Sequence, residues 1–69
     1  MVAYIIVMVD TYGHTELTCK CFANRNSAIK FCDDNNKETY DYLQSCADKH
    51  RNPGNYELFE FREIEVEEQ

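Results

Sequence analysis

The chain has 69 residues, 43% of them hydrophobic, and a formal charge of −6. That length makes one domain, residues 1–69, near the lower limit for folding without a staple such as a disulfide, a metal or a second subunit. The apolar content excludes an intrinsically disordered chain. The charge is uneven: residues 55–69 hold six Glu and one Arg, whereas residues 1–54 hold seven acids and six bases. With no cluster of Lys and Arg, direct binding to nucleic-acid phosphates is not expected. A basic patch on another protein is the favoured partner.

Val2–Val9 is continuously apolar, which predicts a strand central in its sheet. The run is too short for a membrane helix, and MVAYIIVMVD has no basic n-region, so neither a membrane span nor a signal peptide is expected. A cytoplasmic location follows, in which the four cysteines stand as reduced thiols. Asp10-Thr11-Tyr12-Gly13-His14 reads as a turn: Gly13 supplies a positive φ and Asp10 bonds the backbone beyond it. Thr15–Phe22 returns as the second strand of a hairpin, with Leu17, Cys19 and Cys21 on one face.

Asn24 or Asn26 offers an N-cap, and a helical period holds from Ala28 to His50. Cys32, Thr39, Leu43 and His50 run along the middle of one stripe, with Ala28 and Cys46 beside it. One long helix is predicted. Asp33-Asp34-Asn35-Asn36 is its weak point, because these residues are poor helix formers; a kink near Asn35 or two successive helices is the alternative. Asn52-Pro53-Gly54-Asn55 marks its end.

Asn55–Glu68 then alternates like a strand. Tyr56, Leu58, Glu60, Arg62, Ile64 and Val66 share one face; Glu57, Phe59, Phe61, Glu63, Glu65 and Glu67 share the other. Leu58, Ile64 and Val66 are expected to close the core beneath the helix, leaving Phe59 and Phe61, ringed by glutamates, toward a partner. A register flip at Phe59 would instead send both phenylalanines to the helix side. The predicted fold class is α+β: a ββαβ domain whose three-stranded sheet has the order 2-1-3, with strand 3 parallel to strand 2 and the helix packed on one face. The uncovered face predicts self-association as a homodimer.

Chemistry-bearing residues are few. Cys19, Cys21, Cys46 and His50 have the composition of a zinc site, but the helix separates the two pairs by roughly 30 Å at 1.5 Å per residue. Cys19, Cys21 and Cys32 are expected to be core thiols, and His14 and His50 to be structural. No loop suits a phosphate, and the carboxylates stand in exposed rows rather than in a cleft, so no enzyme, cofactor or metal is expected. Tyr12, Tyr40 and Tyr42 are the tyrosines placed for contact. With Glu57, Phe59, Phe61, Glu63, Glu65 and Glu67 they form the expected partner-binding set.

The opening YIIVMVD, the F-A-N-x-x-x-A at residues 22–28 and the closing N-Y-E-L-F-E-F-x-E-I-E-V together resemble small acidic ββαβ proteins of tailed bacteriophages. The resemblance implies a non-enzymatic inhibitor or regulator, of host-takeover or anti-defence type, acting in the host cytoplasm. It would bind a host protein and occlude a basic or nucleic-acid-binding site. A small metal- or ligand-binding domain using the Cys/His set is one alternative, and a structural subunit of a larger assembly is another.

Overall fold

The computed structural model describes residues 1–67. Its elements are β1 (Val2–Asp10), β2 (Thr15–Phe22), α1 (Arg25–Asp48) and β3 (Glu57–Glu65), forming one three-stranded sheet in the order β2-β1-β3. The all-apolar strand lies in the middle, as its composition requires. The expected parallel arrangement of β3 with β2 is not found. Both ladders are antiparallel: each outer strand pairs only with β1 and runs against it, so β2 and β3 share a direction on opposite edges but form no parallel pair. Glu68 lies outside the described residues.

The β1–β2 turn is built by Asp10, whose Oδ1 accepts from the N–H groups of Tyr12 and His14, both at 2.9 Å. Gly13 takes φ +82° and its N–H donates to the Asp10 carbonyl. Beyond the turn the hairpin loses its regular alternation. Ile5 pairs with Cys21 and Val7 with Leu17, so Thr18-Cys19-Lys20 stand opposite Ile6 alone. Cys19 takes φ +65° in this bulge, and the Thr18 hydroxyl donates to the Ile6 carbonyl at 2.9 Å. The bulge overturns the expectation of core thiols at these positions: Cys19 and Cys21 are exposed, while Cys32 and Cys46 are buried.

Asn24 is the N-cap, its side chain accepting from the N–H groups of Asn26 (2.8 Å) and Ser27 (3.4 Å). The helix runs unbroken through Asp33-Asp34-Asn35-Asn36. Two of these residues bond within the helix: Asp34 pairs with Lys30 at 2.7 Å, and Asn35 donates to the Phe31 carbonyl at 2.8 Å. It stops before the Pro-Gly segment. His50 enters the left-handed region at φ +52°, its N–H donating to the Ala47 carbonyl, and the Arg51 N–H donates to the Cys46 carbonyl. That pair of bonds is a Schellman motif, made here without glycine.

The core lies between the helix and the sheet. Ile6, Ala28 and Cys32 are buried at its centre, with Tyr4, Phe22, Phe31, Phe59 and Phe61 packed around them. Phe31 meets Phe22 and Phe59, each at 5.6 Å between ring centroids, and Phe61 meets Tyr4 edge-on at 6.1 Å. Phe59 and Phe61 therefore face the helix, which corrects the expectation that they point away from it. No register flip is needed, since β3 pairs with β1 without a shift from Val2↔Glu65 to Asp10↔Glu57. The cause is the size of the aromatic rings. Placing two phenylalanines beside Ile6 removes more apolar area from water than placing Ile64 and Val66 there. Ile64 and Val66 are each 37% exposed.

Candidate functional site

Four phenylalanines and a buried thiol hold the helix over the β3 side of the sheet, and there the chain makes its most specific tertiary contact. The Asn36 side chain is buried at 3% exposure. Its Nδ2 donates to the Phe59 carbonyl and its Oδ1 accepts from the Phe59 N–H, both at 2.8 Å. A side-chain amide thus does for Phe59 what a fourth strand would do. Ladder geometry extends the point. In an antiparallel pair, alternate residues turn their N–H and C=O toward the partner strand and away from it. The Val66 N–H donates to the Met1 carbonyl at 2.7 Å, so even-numbered residues of this segment face β1. Odd-numbered residues face outward: Phe59 to Asn36, then Phe61, Glu63 and Glu65 along the free edge.

A cleft of about 290 Å³ adjoins that edge, its walls including Asn36, Tyr40, Phe59, Phe61 and Arg62. Arg25 stands over the Phe61 ring at 5.4 Å from its centroid, a cation on an aromatic face. Cys32 also lines the cleft; burial, then the charges of Asp33 and Glu60, push its thiol pKa up, which makes it a poor nucleophile.

The expected partner-binding residues are spread along the length of β3 and beyond it. Glu57 pairs in register with Asp10 near the hairpin turn, whereas Glu65 pairs with Val2 at the far end, about 26 Å away at 3.3 Å per residue. Glu57 and Tyr42 border an open cleft between the helix and residues 55–57, where the Tyr42 hydroxyl donates to the Pro53 carbonyl at 2.9 Å. The neighbouring Cys46 thiol, with burial, raises the Tyr42 pKa against the lowering effect of Arg51. Tyr40 lies on the β3-edge cleft, and Tyr12 is 75% exposed on the hairpin turn, away from both. Glu63, Glu65 and Glu67 are exposed. Glu63 accepts from the Tyr4 hydroxyl at 3.4 Å, and Glu65 lies 3.5 Å from the N-terminal amine.

Asn36 was not among the residues expected to matter, although the sequence carries a signal for it. Ala28, Cys32, Asn36, Thr39, Leu43 and Cys46 are spaced by three or four residues, so Asn36 is the one amide in a stripe otherwise of apolar residues and a threonine. A buried amide must find partners, and an edge-strand backbone supplies them. The Cys/His set is not assembled: among the described residues no three of His, Cys, Asp and Glu group so as to hold a metal ion. Among the same residues no helix is long and apolar enough to cross a membrane. No family model, no curated protein and no solved structure matches the chain.

Proposed function

We propose that this is a non-enzymatic interaction protein whose acidic strand binds a basic region of another protein, as an inhibitor or regulator in the cytoplasm. The observation that supports it is the unbalanced charge of the last segment. Glu57, Glu63, Glu65 and Glu67 are exposed, and the one arginine of residues 55–69, Arg62, is engaged by Glu60 at 2.8 Å. The resemblance to small acidic phage proteins favours occlusion of a basic or nucleic-acid-binding site on a host protein as the mode of action. The test is binding to an array of tiled basic peptides at two salt concentrations. The expected result is capture that weakens steeply with salt and weakens again when Glu63, Glu65 and Glu67 are changed to Gln. Binding indifferent to both would defeat the electrostatic reading.

A second reading, self-association, is favoured by the face of the sheet opposite the helix. Ala3, Ile5, Val7 and Val9 of β1 alternate away from Ile6, and pairing sets Leu17 beside Val7, Leu58 beside Val9 and Ile64 beside Ala3. Ala3 and Val7 are themselves buried, at 8% and 2% exposure, so the exposed apolar surface of this face is Leu17 at 67% and Ile64 at 37%, with Ile5, Val9 and Leu58 half-buried. Apolar patches of this kind mark association surfaces. Sedimentation should show a dimer that Leu17→Lys with Ile64→Lys converts to a monomer; a monomer at all concentrations would refute it.

A further inference from the structure

Resting on the basic-partner reading, we infer that the free edge of β3 from Phe61 to Glu65 takes up an extended basic segment of another protein as a fourth strand. The outward N–H and C=O groups of Phe61, Glu63 and Glu65 follow from the two bonds that fix the alternation, Val66 to Met1 and Phe59 to Asn36. The Phe61 carbonyl holds one long bond, from the exposed Arg62 Nη1 at 3.4 Å, which an incoming strand would displace; edge groups without a strand partner are a template for another strand. Asn36 fills the position at Phe59 and so sets where an incoming strand must stop.

The opposite edge of the sheet is a poorer template. β2 is broken by the bulge at Thr18-Cys19-Lys20, and Cys19 sits in the left-handed region. Bulges of this kind end strand pairing.

Charge selects the occupant. Glu63 and Glu65 lie on the helix-side face of the edge, in register with Tyr4 and Val2. A second copy pairing antiparallel about Glu63 would set Glu63 against its own counterpart, and like charges directly opposite destabilise a ladder. A strand with Lys or Arg at two alternate positions meets both glutamates instead. The next alternate position falls beside Phe61 and the adjoining cleft, and suits an apolar side chain. On the other face Ile64 offers apolar contact, and Arg62 is already paired with Glu60. The occupant is therefore an extended segment of another protein with two alternating basic residues followed by an apolar one.

The test titrates three capped nine-residue peptides into the full chain and follows backbone amide exchange: one with alternating lysines, the same peptide N-methylated at the amides that would pair, and one with glutamate for lysine. Strand addition predicts that the lysine peptide slows exchange at Phe61, Glu63 and Glu65 at least tenfold, that the N-methylated peptide does not, and that Glu63→Gln with Glu65→Gln weakens binding about tenfold. If both lysine peptides bind alike and the three amides stay fast, strand addition is overturned while the basic-partner reading stands. If no lysine peptide binds, both fall. Slowing by the glutamate peptide would overturn the charge selection alone.

Discussion

Replacing Asn36 by Ala tests the contact that joins helix to sheet edge. The substitution removes two hydrogen bonds to Phe59, each worth about 1 kcal/mol net. Both bonds are part-buried and an open cleft adjoins them, so water can reach the freed groups and the larger penalty for a dry, unpaired amide does not apply. Alanine is a better helix former than asparagine by about 0.6 kcal/mol, which offsets part of the loss. The expected destabilisation is about 1.5 kcal/mol. With a urea slope of about 1 kcal/mol/M for so small a domain, the midpoint falls by about 1.5 M. Amide exchange at Phe59 should accelerate by more than that global loss allows, because its acceptor is gone locally. Asn36→Asp separates the two bonds. Its carboxylate keeps an acceptor for the Phe59 N–H but turns a negative oxygen toward the Phe59 carbonyl. Burial and that carbonyl raise the folded pKa of the new carboxyl, and its protonated form restores the missing donor. This variant is therefore closest to the parent below the unfolded pKa, and falls behind as pH rises through the raised folded value. An unchanged Phe59 exchange rate in Asn36→Ala would refute the bond and, with it, the placement of α1 over the β3 edge.

Three further outcomes follow from the same structure. In native protein Cys19 and Cys21 should react with a thiol reagent within minutes at pH 8, while Cys32 and Cys46 react only after denaturation; four equally fast thiols would contradict the described core. At Asp10, burial acts to raise the carboxyl pKa, but the His14 and Tyr12 N–H groups and the His14 imidazole outweigh it and hold the value down. Asp10→Ala should accordingly destabilise the protein above pH 5, with the difference shrinking as pH falls through the lowered folded value; a gap independent of pH would count against that network. Ile6→Ala removes the one large side chain that is fully buried among the described residues and should cost about 3 kcal/mol, read as a lost or much-reduced unfolding midpoint.

The elements were legible from local chemistry. A continuous apolar run gave the central strand, Asp10 and Gly13 gave the turn, and Asn24 gave the helix start. The faces of β3 were not, because both alternation sets hold apolar residues: Leu58, Ile64 and Val66 on one, Phe59 and Phe61 on the other. Periodicity alone does not rank them. The pairing of Phe61 with Ile6 and the ring contacts with Phe31 and Tyr4 do. Cys19 and Cys21 were misplaced for a related reason: a bulge breaks the alternation, and no glycine in β2 marks it. The glutamates of the candidate site were read from charge, but the edge that gives them meaning depends on which backbone groups point outward. That property belongs to the ladder and has no counterpart in composition.

Backbone amide exchange along β3 in the free protein tests this arrangement most directly. Leu58, Glu60, Arg62 and Ile64 should exchange slowly through their bonds to β1. Phe59 should be slow through Asn36, and Phe61, Glu63 and Glu65 should be fast. Fast even-numbered amides, or slow exchange at Phe61, Glu63 and Glu65 in protein shown to be monomeric, would contradict the open edge on which the account rests.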